Sequence, residues 1–197
     1  MSNIKDLITE LKAKQLKTIH LLGDAPSLSM FDDSAISSND IIVAVNCAFK
    51  KCCSDIHFFA DEKFVVLHEE TFDKSLVSVH PNCFEVYGFS KEYTYRPVWD
   101  VEKTATNRLR AGYSVLIPAL HFCCLCDPEN ITLWGVELQS AKHWYDNKQN
   151  SFPAKHKICR EVRLLKKSFP KIKIGISSDS SLLFQAEILE KPFECCC

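Results

Sequence analysis

Glycine is scarce in this chain, at five of 197 residues. That scarcity goes with the absence of the glycine-rich signatures. There is no Walker loop, no dinucleotide-type Gly-x-Gly-x-x-Gly and no Gly-x-Ser-x-Gly elbow. Each glycine that does occur is expected to have a backbone reason for its place. Long apolar runs are also missing. Nothing approaches the roughly 18 consecutive apolar residues of a spanning helix, so no membrane span is expected. An excess of one charge is absent too: 24 Lys and Arg face 25 Asp and Glu, a formal net charge of −1. No global field draws the chain to nucleic acid or to an acidic lipid surface, and a nucleic-acid partner is not expected. The stretch Ser2-Asn3-Ile4-Lys5-Asp6-Leu7-Ile8 is amphipathic with early acids and does not read as a signal peptide. A cytoplasmic protein is expected.

Cysteine is abundant instead, with eleven residues. An odd count and adjacent runs (Cys52-Cys53 and Cys195-Cys196-Cys197) carry no pairing logic. Cys47, Cys123, Cys124, Cys126 and Cys159 lie in or beside apolar runs, where free cysteine behaves as a small hydrophobe. Cys123 and Cys126 share a helical face, but no second C-x-x-C follows, and no metal site is expected. The three terminal cysteines follow Glu190 and Glu194 rather than a basic segment, and read as a tail rather than a lipid anchor.

The pattern along the chain alternates strands and helices. Ile4, Leu7, Ile8 and Leu11 recur at helical spacing over residues 4–16. Strands are expected at Thr18 to Leu22, Ile41 to Val45, Asp55 to Ala60, Leu76 to Val79, Cys83 to Tyr87, Asn130 to Trp134 and Ile172 to Ile176. Ile41-Ile42-Val43-Ala44-Val45 is continuously apolar, as parallel strands covered on both faces are. A short helix is expected after Gly23, one capped by Asp61 over Asp61 to Glu70, and a final one after Ser177 to Ser181. Tyr113 to Cys126 is apolar nearly all round and predicts a buried helix, with Pro118 marking a kink or an irregular first turn. Ile158, Val162, Leu165 and Phe169 stripe a helix over Lys155 to Phe169, whose basic outer face reads as a solvated surface. Tyr93 to Arg108 has no period and is expected to be a loop, as is Val136 to Pro153. The fold class is α/β: a single Rossmann-like domain over residues 1–190, with a largely parallel sheet flanked by helices and a short tail at 191–197.

In such sheets ligands collect at the carboxyl ends of the strands. The candidates there are Gly23 and Asp24, Asn46, Asp61, Gly135 and Glu137, and Ser177 to Ser180. Gly23 ends an apolar strand, and Pro26-Ser27-Leu28 then opens a helical turn, a setting suited to an anion. Arg108 and Arg110 flank the start of the buried helix at Gly112, and a guanidinium there suits phosphate or carboxylate. His143, in the loop segment His143-Trp144-Tyr145-Asp146, and His156 are the histidines placed to serve as a general base.

These segments together resemble a known group. Gly23-Asp24-Ala25-Pro26-Ser27-Leu28 is similar to the G-x-G-P-S-L start of bacterial sialyltransferases of the Campylobacter type and of the motility accessory factor proteins. Ile41 to Asn46 resembles that family's second strand and its nucleotide-contacting asparagine. Arg108-Leu109-Arg110-Ala111-Gly112 resembles its R-x-[ST]-[SG]-G, Ile131 to Glu137 its I-x-L-x-G-x-D strand, and Ser180-Ser181-Leu182-Leu183 its closing N-S-L-L turn. Glu137 and the His143 loop are also similar to uncharacterised phage and prophage members of the superfamily. The likeness runs from Thr18 to Glu187. It implies a nucleotide-sugar donor of the CMP-sugar class and a metal-independent, inverting transfer with no further cofactor. It also implies that Asp24 and Asn46 contact the nucleotide, that Arg108 binds an anionic group and that His143 or His156 is the base. Gly23, Pro26, Ser27, Asp61, Gly112, Gly135, Glu137, Tyr145, Ser178 and Ser180 would line the same site. The chain departs from the family pattern at Asp24, Ala111 and Glu137, and its span from Gly135 to the Lys155 helix is short. These departures leave open a protein that binds a nucleotide or sugar phosphate without turning it over.

Overall fold

The computed structural model describes residues 2–59, 75–78, 92–94, 96–136 and 155–177. The strands are β1 (Ser2–Asn3), β2 (Thr18–Leu22), β3 (Ile41–Val45), β4 (Ile56–Phe59), β5 (Ser75–Ser78), β6 (Glu92–Thr94), β7 (Arg96–Val98), β8 (Arg108–Arg110), β9 (Asn130–Trp134) and β10 (Lys173–Ile176). The helices are α1 (Ile4–Ala13), α2 (Leu116–Leu125) and α3 (Lys155–Ser168). Eight strands form one sheet in the order β1-β6-β5-β4-β3-β2-β9-β10, with every pairing parallel. From β2 the chain steps outward through β3 to β6, then returns to β9 on the other flank of β2. Strand order therefore reverses at the β2–β9 boundary.

The alternation of side chains along each strand divides the core in two. Ile19, Leu21, Val43, Val45, Ile56, Phe58, Ile131, Leu133 and Ile174 face one way and pack with the apolar stripes of α1, α2 and α3. Leu22, Ile42 and Ala44 face the other way, under Leu28 and Ala48 of the 3₁₀ turns that follow β2 and β3 and under Phe31, which caps the first of them. Both faces of β3 are thus covered, which is why its five residues are all buried apolar side chains. All ten residues of α2 are buried, and Pro118 falls in its first turn, where a missing N–H costs no intrahelical bond.

The expected loop from Tyr93 to Arg108 is corrected. It holds β6 and β7, and β8 begins at its end, with β7 and β8 pairing as a separate parallel ribbon. These strands have three residues each and β7 is largely exposed, so no apolar period marks them. The helix after Gly23 is a 3₁₀ turn, Pro26–Met30, rather than an α-helix. The strand expected at Cys83 to Tyr87, the helix from Asp61, the final helix after Ser181 and the tail lie outside the described residues.

Cys123, Cys124, Cys126 and Cys159 are buried free thiols in the main core. Burial pushes the first three up from the ordinary thiol range. Iodoacetamide on the folded, reduced protein is expected to modify exposed Cys53 well before any of the four, as read by peptide mass spectrometry. Equal rates would contradict this packing.

Candidate functional site

The carboxyl ends of β2 and β9 are stitched together. The Gly23 N–H donates to the Trp134 carbonyl at 2.7 Å and the Ala25 N–H to the Gly135 carbonyl at 3.0 Å. A Cβ on Gly23 would fall on the Gly135 carbonyl oxygen. A Cβ on Gly135 would stand 2.6 Å from the Gly23 oxygen and 2.8 Å from Leu28 Cβ, and Gly135 has φ +62°. The first reason for both glycines is therefore each other. They let two strand-ending turns close up at the point where strand order reverses, the place where open α/β sheets bind ligands.

Around this seam the described candidates gather by topology. Asp24 follows Gly23 and is half-buried, and Pro26 and Ser27 open the 3₁₀ turn above β2. Asn46 follows β3 directly, in the left-handed region at φ +48°, which asparagine tolerates better than most residues. Its side chain is half-buried and makes no hydrogen bond among the described residues, so its amide is available at the strand end. Ser177 follows β10 and its N–H donates to the Leu133 carbonyl at 3.0 Å. Asp61, Glu137, His143, Tyr145, Ser178 and Ser180 lie outside the described residues.

The starts of two helices complete this edge. α3 runs between the parallel neighbours β9 and β10, so it descends the sheet from the carboxyl end, and exposed His156 sits in its first turn. The chain leaving α2 meets the amino ends of β2 and β9, where the Glu129 N–H donates to the Leu16 carbonyl and the Asn130 N–H to the Lys17 carbonyl. α2 therefore also starts toward the carboxyl end. Gly112 precedes it against Ile117, whose Cγ1 would be 2.7 Å from an added Cβ. Lys157 Nζ lies 4.6 Å above the Tyr113 ring, and that ring is 6.0 Å from Trp99. The cation–π contact joins the two helix starts, so His156 and Gly112 are each one residue from a contacting pair. Trp99 and Tyr113 are 61% and 44% exposed, which leaves an aromatic surface beside that edge.

The two arginines differ. Arg108 is exposed, with Nη1 2.8 Å from the Glu102 carboxylate. Arg110 is buried. Its Nε donates to Glu161 of α3 and its Nη1 to the Trp99 carbonyl, while its backbone N–H donates to His121 Nδ1 at 2.8 Å. Arg110 thus braces the loop and helices rather than facing a ligand. The sequence reading missed Glu161 and His121. Both had a signal: Glu161 stands on the apolar stripe between Ile158 and Leu165, and His121 interrupts an otherwise apolar helix. On the opposite face of the sheet, His20 accepts a hydrogen bond from Trp134 Nε1 at 3.3 Å. Burial lowers its pKa, with nearby Asp40 opposing.

No family model matches the sequence, and no curated protein matches it. Solved structures do match the fold. The sialyltransferase CST-II in complex with trisaccharide acceptor and CMP superposes with a TM-score of 0.54 at 15% identity, over 88% of this chain and 85% of that one. CstII from Campylobacter jejuni with the substrate analogue CMP-3FNeuAc gives 0.53 at 14%, over 88% and 85%. The monofunctional alpha-2,3-sialyltransferase Cst-I from Campylobacter jejuni gives 0.56 at 13%, over 90% and 83%. The fold is therefore a Rossmann-like α/β fold similar to that of sialyltransferases solved with CMP and a CMP-sugar analogue. None of the described helices is long and apolar enough to cross a membrane.

Proposed function

We infer that this chain is a glycosyltransferase using a nucleotide-sugar donor of the CMP-sugar class. One observation carries the reading: Asp24 and Asn46 stand at the carboxyl edge beside the strand-order reversal, in a fold similar to enzymes solved with CMP. Asp24 and Asn46 contact the nucleotide, and Arg108 holds an anionic group. His156 or His143 takes the proton of an acceptor hydroxyl as its oxygen attacks the anomeric carbon. The bond from that carbon to the nucleotide breaks, CMP leaves with the electron pair, and the sugar centre inverts without a metal. The test is incubation with CMP-sialic acid. Release of CMP that falls about a hundredfold or more in His156→Ala or in His143→Ala supports the reading and names the base. Release that survives both substitutions excludes these bases.

A second reading, a protein that holds a nucleotide or sugar phosphate without turnover, is favoured by Glu102, whose carboxylate already occupies Arg108. CMP binding without any CMP release from CMP-sialic acid would select it.

Asn46→Gly separates binding from folding. Glycine accepts φ +48° without strain, so stability is expected to stay within about 1 kcal/mol of the parent. Loss of the amide is expected to weaken CMP binding about tenfold, measured by calorimetric titration. Unchanged affinity would remove Asn46 from the site.

A further inference from the structure

Parallel neighbours ordinarily need a crossover of a dozen or more residues, most often helical. β7 and β8 are joined instead by residues 99–107, which have no regular secondary structure. The backbone of such a segment must find its partners elsewhere, and side chains supply them. Arg110 Nη1 donates to the Trp99 carbonyl, and His121 Nε2 lies 2.8 Å from the Glu102 carbonyl. His121 is fully buried, and its Nδ1 receives the Arg110 backbone N–H. An amide can only donate, so Nδ1 is unprotonated and Nε2 carries the proton given to Glu102. The Glu102 carboxylate in turn holds Arg108.

We propose that His121 is the acid-sensitive fastener of a strap formed by residues 99–107, and that the strap keeps Arg108 engaged by Glu102 and away from an anionic ligand. An imidazolium has two donors, whereas this position offers one acceptor, the Glu102 carbonyl, and one donor, the Arg110 N–H. Protonation therefore breaks one of the two bonds whichever way the ring turns. Among the described residues, the charged groups of the network are Arg110 from β8, Glu102 from the strap with Arg108 of β8 on its carboxylate, and Glu161 from α3, already taken by Arg110. The Phe169 ring packs 5.9 Å away and supplies no acceptor. Burial holds the imidazole below its ordinary pKa. The hydrogen bond to Glu102 opposes that, and Arg110 adds to it. The unfolded chain takes the proton at about pH 6.5 and the folded chain only at lower pH. Stability therefore declines as pH falls from about 6.5, and the strap lets go at the lower value. The Arg108 half of the proposal rests on the reading of Arg108 as the anion-binding residue.

The test has two arms. In nitrogen-15 NMR the His121 ring is expected as the Nε2–H tautomer at pH 7.5. On acidification it should titrate below about pH 6.5, with the amides of Trp99 to Lys103 and of Arg110 moving at the same midpoint and those of β2 and β9 still. An Nδ1–H tautomer, a ring that stays neutral until the protein unfolds, or a titration that leaves the strap amides still overturns the fastener. In the second arm CMP is titrated at pH 7.5. Glu102→Gln keeps the backbone carbonyl but frees Arg108, and is expected to tighten CMP binding about two- to fivefold, the range of an exposed ion pair. Unchanged affinity in Glu102→Gln, with weakened affinity in Arg108→Ala, overturns the gating of Arg108. CMP binding that is absent, or indifferent to Arg108→Ala, overturns the nucleotide reading of Arg108 and the gating with it, while the ring titration still decides the fastener.

Discussion

Gly135→Ala is expected to destabilise the protein by about 3 kcal/mol, read as a lowered midpoint in urea unfolding. Two costs combine. An alanine at φ +62° pays the left-handed penalty, of order 1–3 kcal/mol. Its Cβ also meets the Gly23 oxygen and Leu28 Cβ at 2.6 and 2.8 Å, and overpacking of this kind costs about 1–3 kcal/mol. Gly23→Ala carries only the second cost and should lose less. Gly175→Ala is the control. A Cβ there meets nothing within 4 Å, so its effect should stay within about 0.5 kcal/mol. A Gly135→Ala protein as stable as Gly175→Ala would mean that the two turns do not close on each other.

Glu161→Ala is expected to cost about 3–5 kcal/mol, because it leaves the Arg110 guanidinium buried without its counter-ion. Both side chains are almost fully buried, so the loss should change little with added salt, unlike that of the exposed Arg108–Glu102 pair. The double substitution Arg110→Met with Glu161→Leu removes both charges and should recover most of the loss. Such recovery would make the pair a device for seating α3 and the Trp99 carbonyl rather than a net source of stability. Chemical denaturation of the two variants beside the parent checks this. A Glu161→Ala loss below about 1 kcal/mol would place the pair in solvent.

The parts of the fold legible in the sequence are those where burial imposes a period. β3 is covered on both faces and reads as a continuous apolar run. α2 is buried all round, and α3 shows its stripe through Ile158, Val162 and Leu165. β7 and β8 were illegible because three exposed or mixed residues with a proline carry no period. Of the candidate site, the positions at strand ends were legible, but their contacts were not. The sequence marks Gly23 as a strand-end position suited to an anion, whereas the nearest thing to it is the Gly135 turn, a neighbour more than a hundred positions away in the chain. Arg108 and Arg110 look alike in sequence, yet one is exposed on Glu102 and the other is sunk against Glu161. Partners contributed by other helices and loops decide such differences, and spacing does not encode them.

Under the proposed function, the carboxyl edge around Gly23, Asp24 and Asn46 binds the nucleotide of a CMP-sugar. Thermal unfolding of the reduced protein with and without CMP tests it most directly. At about one hundred times its dissociation constant, a ligand that binds only the folded state adds about 2.7 kcal/mol. The expected result is a raised melting temperature with CMP, reduced in Asn46→Gly. No shift with CMP at millimolar concentration, or a shift that Asn46→Gly leaves untouched, would contradict nucleotide binding at this edge.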